Sequence, residues 1–218
     1  MRKLVISALI LMLPAVSMAQ SGNRSQTWDW SVAGIYQNGQ TMGGDGGSQL
    51  KLKNTWGLGF NIGYNFNNRF TLGADFDFLR PGFDATLADE LDPNNTVSVS
   101  HTASQFNGRL KGTLNLTDGP LVPYVEAGFG WTYFDSNVAD GPPQTGCWWH
   151  PWWGYICSNY YRTFSSTNTS YGGALGLRYE LRGGTFIKAS YNYWKMDIGG
   201  GNADPILESA RIEYGWSF

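Results

Sequence analysis

Charge is what this chain of 218 residues has little of: Asp, Glu, Lys and Arg together make 15 %, against about 25 % in soluble domains. Bases do not outnumber acids (15 against 17), which argues against the electrostatic footprint of a nucleic-acid-binding protein. Cysteine is reduced to Cys147 and Cys157, and histidine to His101 and His150. Cys147, His150 and Cys157 lack the fourth ligand of a structural zinc site, so no metal is expected. Beyond the N-terminal segment no apolar run approaches the roughly 20 residues of a membrane-spanning helix. The Gly-rich pieces are turn chemistry rather than phosphate loops, and no cofactor is expected.

Aromatic residues and glycine are abundant instead, at 16 % and 29 residues. The N-terminus explains part of the composition. Arg2 and Lys3 precede a short apolar core, Leu4 to Leu13, and Ser17-Met18-Ala19 supplies small residues at a cleavage site. Residues 1–19 therefore read as a secretory signal peptide with Gln20 as the mature N-terminus. Losing Arg2 and Lys3 takes the formal charge from −2 to −4.

The last stretch sets the fold class. In Ala210-Arg211-Ile212-Glu213-Tyr214-Gly215-Trp216-Ser217-Phe218, the apolar residues fall on one parity and Arg211, Glu213, Gly215 and Ser217 on the other. A period of two is a strand with unlike faces. So aromatic an edge strand invites aggregation in a soluble sheet, whereas a closed barrel has no edge and lipid accepts the aromatic face. The same alternation marks strands at Trp28–Gln37, Leu50–Phe66, Phe70–Phe83, Thr96–Leu116, Leu121–Asp135, Thr163–Leu181, Thr185–Asp197 and Pro205–Phe218. Their connections alternate long and short. This predicts an all-β fold, an eight-stranded antiparallel up-and-down transmembrane β-barrel over residues 28–218. Residues 20–27 then form a short periplasmic segment, both termini are periplasmic, and the long loops are extracellular.

Parity also assigns the charges. Asp29, Lys53, Asp75, Asp77, Arg109, Lys111, Glu126, Arg178, Glu180, Lys188, Arg211 and Glu213 all take the parity opposite to the lipid face. The exceptions, Arg80, Asp135, Lys195, Asp197 and Glu208, lie toward the outer ends. An Arg or Lys on the lipid face at mid-membrane costs about 2–4 kcal/mol. A lipocalin-like soluble barrel would show the reverse arrangement. Six acids and six bases facing a lumen just wide enough for side chains predict an ion-pair network that fills it. The alternative is a narrow channel for ions or small solutes.

The longest connection, Ser136 to Arg162, carries Cys147-Trp148-Trp149-His150-Pro151-Trp152-Trp153-Gly154-Tyr155-Ile156-Cys157. An oxidising compartment favours a Cys147–Cys157 disulfide. Trp148, Trp149, His150, Trp152, Trp153 and Tyr155 then form either a surface-binding loop or a compact lid of packed rings over the barrel. Enzyme signals are weak. His101 lies near Ser100 and Ser104, a pair that could serve acyl transfer, but it lacks the His-x-Ser arrangement of barrel lipid A deacylases; no catalysis is expected.

Three stretches carry a family resemblance: Ser170-Tyr171-Gly172-Gly173-Ala174-Leu175-Gly176-Leu177-Arg178-Tyr179, Lys188-Ala189-Ser190-Tyr191-Asn192-Tyr193, and the terminal Tyr214-Gly215-Trp216-Ser217-Phe218. The chain resembles the small outer-membrane barrels, the OmpA-like and OmpX-like group of porin-family β-barrel domains. The resemblance implies a Gram-negative outer-membrane location with outer-membrane lipids and lipopolysaccharide as surroundings. It also implies that Tyr214, Trp216 and Phe218 act as the signal read by the barrel-assembly machinery. No peptidoglycan-binding domain is expected after the barrel, and the charged lumen departs from the apolar channel of OmpW-like carriers. The expected role is structural or surface-interacting, through the long loops and a still unidentified surface ligand. An outer-leaflet lipid-modifying enzyme is the remote alternative.

Overall fold

The computed structural model describes residues 24–43, 49–88, 96–198 and 204–218. The signal segment 1–19 and Gln20 lie outside the described residues. Among them the chain forms β1 (Thr27–Gln37), β2 (Thr41–Gly43), β3 (Gln49–Leu52), β4 (Thr55–Asn65), β5 (Phe70–Leu79), β6 (Gly82–Ala88) and β7 (Thr96–Thr102). It continues through β8 (Ser104–Asn115), β9 (Leu121–Ala139), β10 (Gln144–His150), β11 (Gly154–Tyr160), β12 (Thr163–Glu180), β13 (Thr185–Asp197) and β14 (Ile206–Ser217).

Eight of these strands close a barrel in the order β1-β14-β13-β12-β9-β8-β5-β4, each antiparallel to its neighbours. Closure is made by β1. Trp30 lies opposite Ile62 of β4 on one side and Trp216 of β14 on the other. The amides and carbonyls of Trp28 and Phe218 bond reciprocally at 2.8 and 2.9 Å. No edge is left unpaired in the wall, which is what a chain surrounded by hydrocarbon requires.

The outer face is a continuous apolar surface. Trp30, Val32, Trp56, Leu58, Phe76, Leu110, Phe129, Leu175 and Ile212 are all exposed, while the intervening residues of the same strands are buried or partly buried. On β9 the apolar face runs from Leu121 to Tyr133. Twelve residue steps, at a tilt of about 40°, correspond to about 30 Å of height, close to the apolar band of an outer-membrane barrel. Short connections gather at the end where β1 begins and β14 finishes. One is the Arg182–Gly184 turn, where Gly183 and Gly184 adopt φ of 77° and 75°, a region that favours glycine.

Three expected strands each divide in two. The segment Leu50–Phe66 breaks at Lys53-Asn54, Phe70–Phe83 at Arg80-Pro81, and Thr96–Leu116 at Ala103. Pro81 has no amide to give the ladder. Its carbonyl accepts from the amide of Ala103 at 2.9 Å, and the Gly82 carbonyl accepts from Lys53 at 2.8 Å. Beyond these breaks the chain builds a second sheet, β2-β3-β6-β7, over a small core of Leu52, Phe83 and Ala103. Met42, Leu50, Ala85, Phe134 and Val138 flank that core. The long connection 136–162 is likewise largely β-structure: β9 runs on to Ala139, and β10 pairs with β11 as a separate hairpin.

Candidate functional site

The lumen holds eleven of the twelve charges assigned to it by parity. Asp29, Asp75, Asp77, Arg109, Lys111, Glu126, Arg178, Glu180, Lys188, Arg211 and Glu213 are all buried. Lys53 is the correction. It sits at the break between β3 and β4, half exposed, and its ammonium pairs with Asp84 of the second sheet at 2.8 Å. Lys53 and Asn54 belong to no strand, so the alternation of β4 does not extend to them. Arg24 takes the place of Lys53. It precedes β1 and is buried, with its guanidinium 3.2 Å from Glu180. Periodicity could not find it because it lies outside a strand. Charge balance could have, since removing Lys53 leaves six acids facing five bases.

The charges form two clusters. Near the start of β1 and the end of β14, Arg178 pairs with Asp29 and, at 2.6 Å, with Glu180, which also takes Arg24. Ser217 donates to Asp29 at 2.6 Å and accepts from Arg178 at 3.1 Å. In the barrel's middle, Asp77 accepts from Arg211 at 2.5 Å and from Arg109 at 2.8 Å. Asp75 binds Lys111 at 3.0 Å and Arg211 at 3.4 Å, and Asn61 donates to it at 2.5 Å. Lys111 continues to Glu126 at 3.1 Å, while Arg211 reaches Glu213 at 2.8 Å. Hydroxyls complete the carboxylates: Ser31 donates to Glu213 at 2.6 Å and Thr113 to Glu126 at 2.9 Å.

Lys188 behaves differently. Among the described residues it makes no ion pair within bridging distance; its ammonium lies 5.4 Å from the Phe186 ring centre and 5.7 Å from that of Tyr124. Toward the loop end the lining becomes neutral. Gln37 and Gln105 exchange side-chain amide bonds at 3.1 Å, Gln105 donates to Asn107 at 3.1 Å, and Thr132 donates to Asn107 at 3.0 Å. All four are buried. A water-filled bore would leave its lining accessible to water, yet exposure is 1 % at Asp29, 3 % at Arg211 and 0 % at Gln105.

At the opposite extreme stands the hairpin. β10 and β11 pair from Gln144 with Tyr160 to His150 with Gly154, and Cys147 lies directly opposite Cys157, to which it is disulfide-bonded. Pro151, Trp152 and Trp153 form the turn, and Gly154 follows at φ 72°. The aromatic rings do not pack into a lid: Trp149, Trp152 and Trp153 are 70 %, 83 % and 76 % exposed. The ring contacts at the tip are His150 against Trp153 at 4.6 Å and against Trp152 at 5.7 Å. The Ser–His arrangement weighed for acyl transfer is not assembled. His101 Nδ1 accepts from the Thr102 amide at 2.8 Å, and Ser100 donates to Asp84 at 2.7 Å.

A closed eight-stranded wall with an apolar outside and a charged inside is the geometry of a bacterial outer-membrane barrel. The model of the outer membrane protein beta-barrel domain family matches residues 6–218. The chain belongs to that family. Its location in the bacterial outer membrane follows from that membership. Among solved structures it is similar to OprG of Pseudomonas aeruginosa, at TM-score 0.59 and 14 % identity, covering 91 % of this chain and 98 % of that one. It is also similar to Ail, the attachment invasion locus protein of Yersinia pestis, solved in complex with the heparin analogue sucrose octasulfate. There the TM-score is 0.52 and the identity 17 %, covering 89 % and 99 % of the two chains. Neisserial surface protein A matches at TM-score 0.50 and 16 % identity, covering 90 % and 97 %. No curated protein sequence matches.

Proposed function

We propose that this outer-membrane barrel is a non-conducting scaffold that holds a binding hairpin away from the membrane. In this reading the signal segment is removed, both termini face the periplasm, and the β10–β11 hairpin is extracellular. The observation that carries it is the filled lumen: ion pairs near the termini and at mid-height and an amide layer toward the loops leave its lining nearly inaccessible to water. An open path would require several buried ion pairs to part, each at a cost of several kcal/mol. The exposed Trp148, Trp149, Trp152, Trp153 and Tyr155 supply the contact surface. No catalytic step is assigned to the protein. The test is conductance of the refolded mature chain in a planar bilayer, with folding checked by heat-modifiable gel mobility. A silent bilayer is expected. Discrete, salt-dependent current steps would transfer the reading to a narrow channel.

A further inference from the structure

The proposed function leaves open what the hairpin binds, and the tip's own chemistry narrows it. From Gly141 to Tyr161 there is no Asp, Glu, Lys or Arg. That removes the cations a sulfated or phosphorylated partner would need and the anions a basic partner would need. The aromatic residues are also not on one side. Successive strand residues point to opposite faces. Trp149 and its cross-strand partner Tyr155 therefore occupy one face, Trp148 and its partner Ile156 the other, and Trp152 and Trp153 the apex. A flat protein partner or a stacked sugar ring covers a single face and would leave half of these rings in water. A medium that surrounds the tip on all sides covers every one of them. The headgroup–acyl boundary of a bilayer is such a medium, and Trp and Tyr partition there because an apolar ring carries a polar handle.

The ribbon beneath the tip has a direction. Thr163 pairs with Ala139, Asp140 donates to the Arg162 carbonyl at 2.7 Å, and pairing resumes at Gln144 with Tyr160. The ladder between barrel and tip is interrupted twice, by a bulge where Ser136–Val138 face Phe164 and again where Gly141-Pro142-Pro143 face Tyr161. From Thr167, the partner of Tyr133 near the upper end of the apolar face, to Gly154 is thirteen residue steps, a contour of at most about 40 Å at the rise of a strand. The disulfide ties the two strands together just below the aromatic residues.

We infer that the Cys147–Cys157 hairpin is an insertion tip for the interfacial layer of an apposed, zwitterionic lipid bilayer, a proposal that rests on the outward-presented hairpin of the preceding section. Burying two Trp side chains implies a loss of roughly tenfold or more in vesicle partitioning when both are removed.

The test uses the full mature protein in nanodiscs, mixed with separate phosphatidylcholine vesicles. Brominated lipid is placed either in the added vesicles or in the discs, and Trp fluorescence is recorded. The expected result is quenching from the vesicles, co-flotation with them that is insensitive to salt, and loss of both, by about tenfold, in the Trp152→Ala/Trp153→Ala variant. That variant changes exposed turn residues only, and its folding is checked by heat-modifiable mobility. Absence of vesicle quenching overturns the proposal. So does extra quenching from the disc that depends on Trp152 and Trp153, which would place the tip in the protein's own bilayer. Binding of a neutral oligosaccharide without vesicle partitioning also overturns it, while leaving the scaffold reading intact. Current through the barrel would instead overturn the scaffold and leave the vesicle result standing.

Discussion

Arg211 of β14 and Asp77 of β5 meet at 2.5 Å across the lumen, with β1 and β4 lying between their strands in the wall. The contact ties opposite parts of the barrel through its interior. Arg211 also serves Asp75 and Glu213, so three carboxylates depend on one guanidinium. Replacing Arg211 by Met should cost about 3–5 kcal/mol, the usual penalty for stranding a buried partner. Equilibrium urea unfolding in lipid vesicles measures it. A loss below about 1 kcal/mol would mean that the remaining cations, Lys111 and Arg109, re-pair the carboxylates.

Lys188 should respond in the opposite sense. Its ammonium is buried, has no ion-pair partner among the described residues and rests against the rings of Phe186 and Tyr124. Lys188→Met removes a desolvated charge and keeps the stem that packs there. The same unfolding measurement should show unchanged or higher stability. Clear destabilisation would indicate that its longer-range attraction to the lumenal acids outweighs the desolvation it costs.

The pair Arg24 and Lys53 separates what could be read in the chain from what could not. Arg24→Ala should destabilise the barrel by about 3 kcal/mol, because Glu180 loses one of its two cations in a buried setting. Lys53→Ala should cost under about 1 kcal/mol, because its pairing with Asp84 is solvent-exposed. Thermal loss of the heat-modifiable form ranks the two variants, and the reverse order would contradict the assignment.

Alternation made the eight wall segments and the lumenal parity legible, since one face meets lipid and the other meets charge. It stopped at Lys53-Asn54, Arg80-Pro81 and Ala103. There the backbone leaves the wall, and its bonding partners are set by Gly82 and Pro81, distant in sequence. The sheet β2-β3-β6-β7 was hidden for the same reason: its core joins Leu52, Phe83 and Ala103 from three segments that read as barrel strands. In the hairpin, the cysteine spacing and the Trp pairs were visible. Their exposure on both faces was not, because it depends on what the hairpin packs against rather than on its own pattern.

The Asp84 cluster carries a pH dependence. Hydrogen bonding from Lys53, and next from Ser100, holds the Asp84 carboxyl below the usual carboxylate range. A depressed acid supports the fold above its unfolded pKa of about 4 and withdraws that support as the pH falls through the depressed value. Hydrogen-exchange protection of β6 and β7 amides should therefore be full at neutral pH and fall in acid, with barrel amides such as those of β13 unaffected. In Lys53→Met the decline should begin at higher pH. An unchanged profile would show that the second sheet does not depend on this cluster.

Removing the disulfide should act locally. Closing a loop of this length stabilises it by roughly 2–3 kcal/mol in the chain-entropy model. In Cys147→Ser/Cys157→Ser, chymotrypsin should cut within 144–160 far faster than in the native chain, while the barrel's heat-modifiable mobility is retained. Loss of the barrel form would mean that the hairpin contributes to the wall, contrary to its pairing only with itself.

The central claim, a lumen closed by its own ion pairs, is tested most directly by solute entry into proteoliposomes. Osmotic swelling of liposomes holding the native chain should match that of empty liposomes. A variant with Lys111 and Glu126 both replaced by Ser serves as the opened reference, since it empties one ion pair from the layer, keeps the lumenal charge balance and leaves Asp75 paired with Arg211. Swelling in the variant alone is the predicted result. Swelling by the native chain, at a rate that depends on solute size, would contradict the account and establish a conducting lumen.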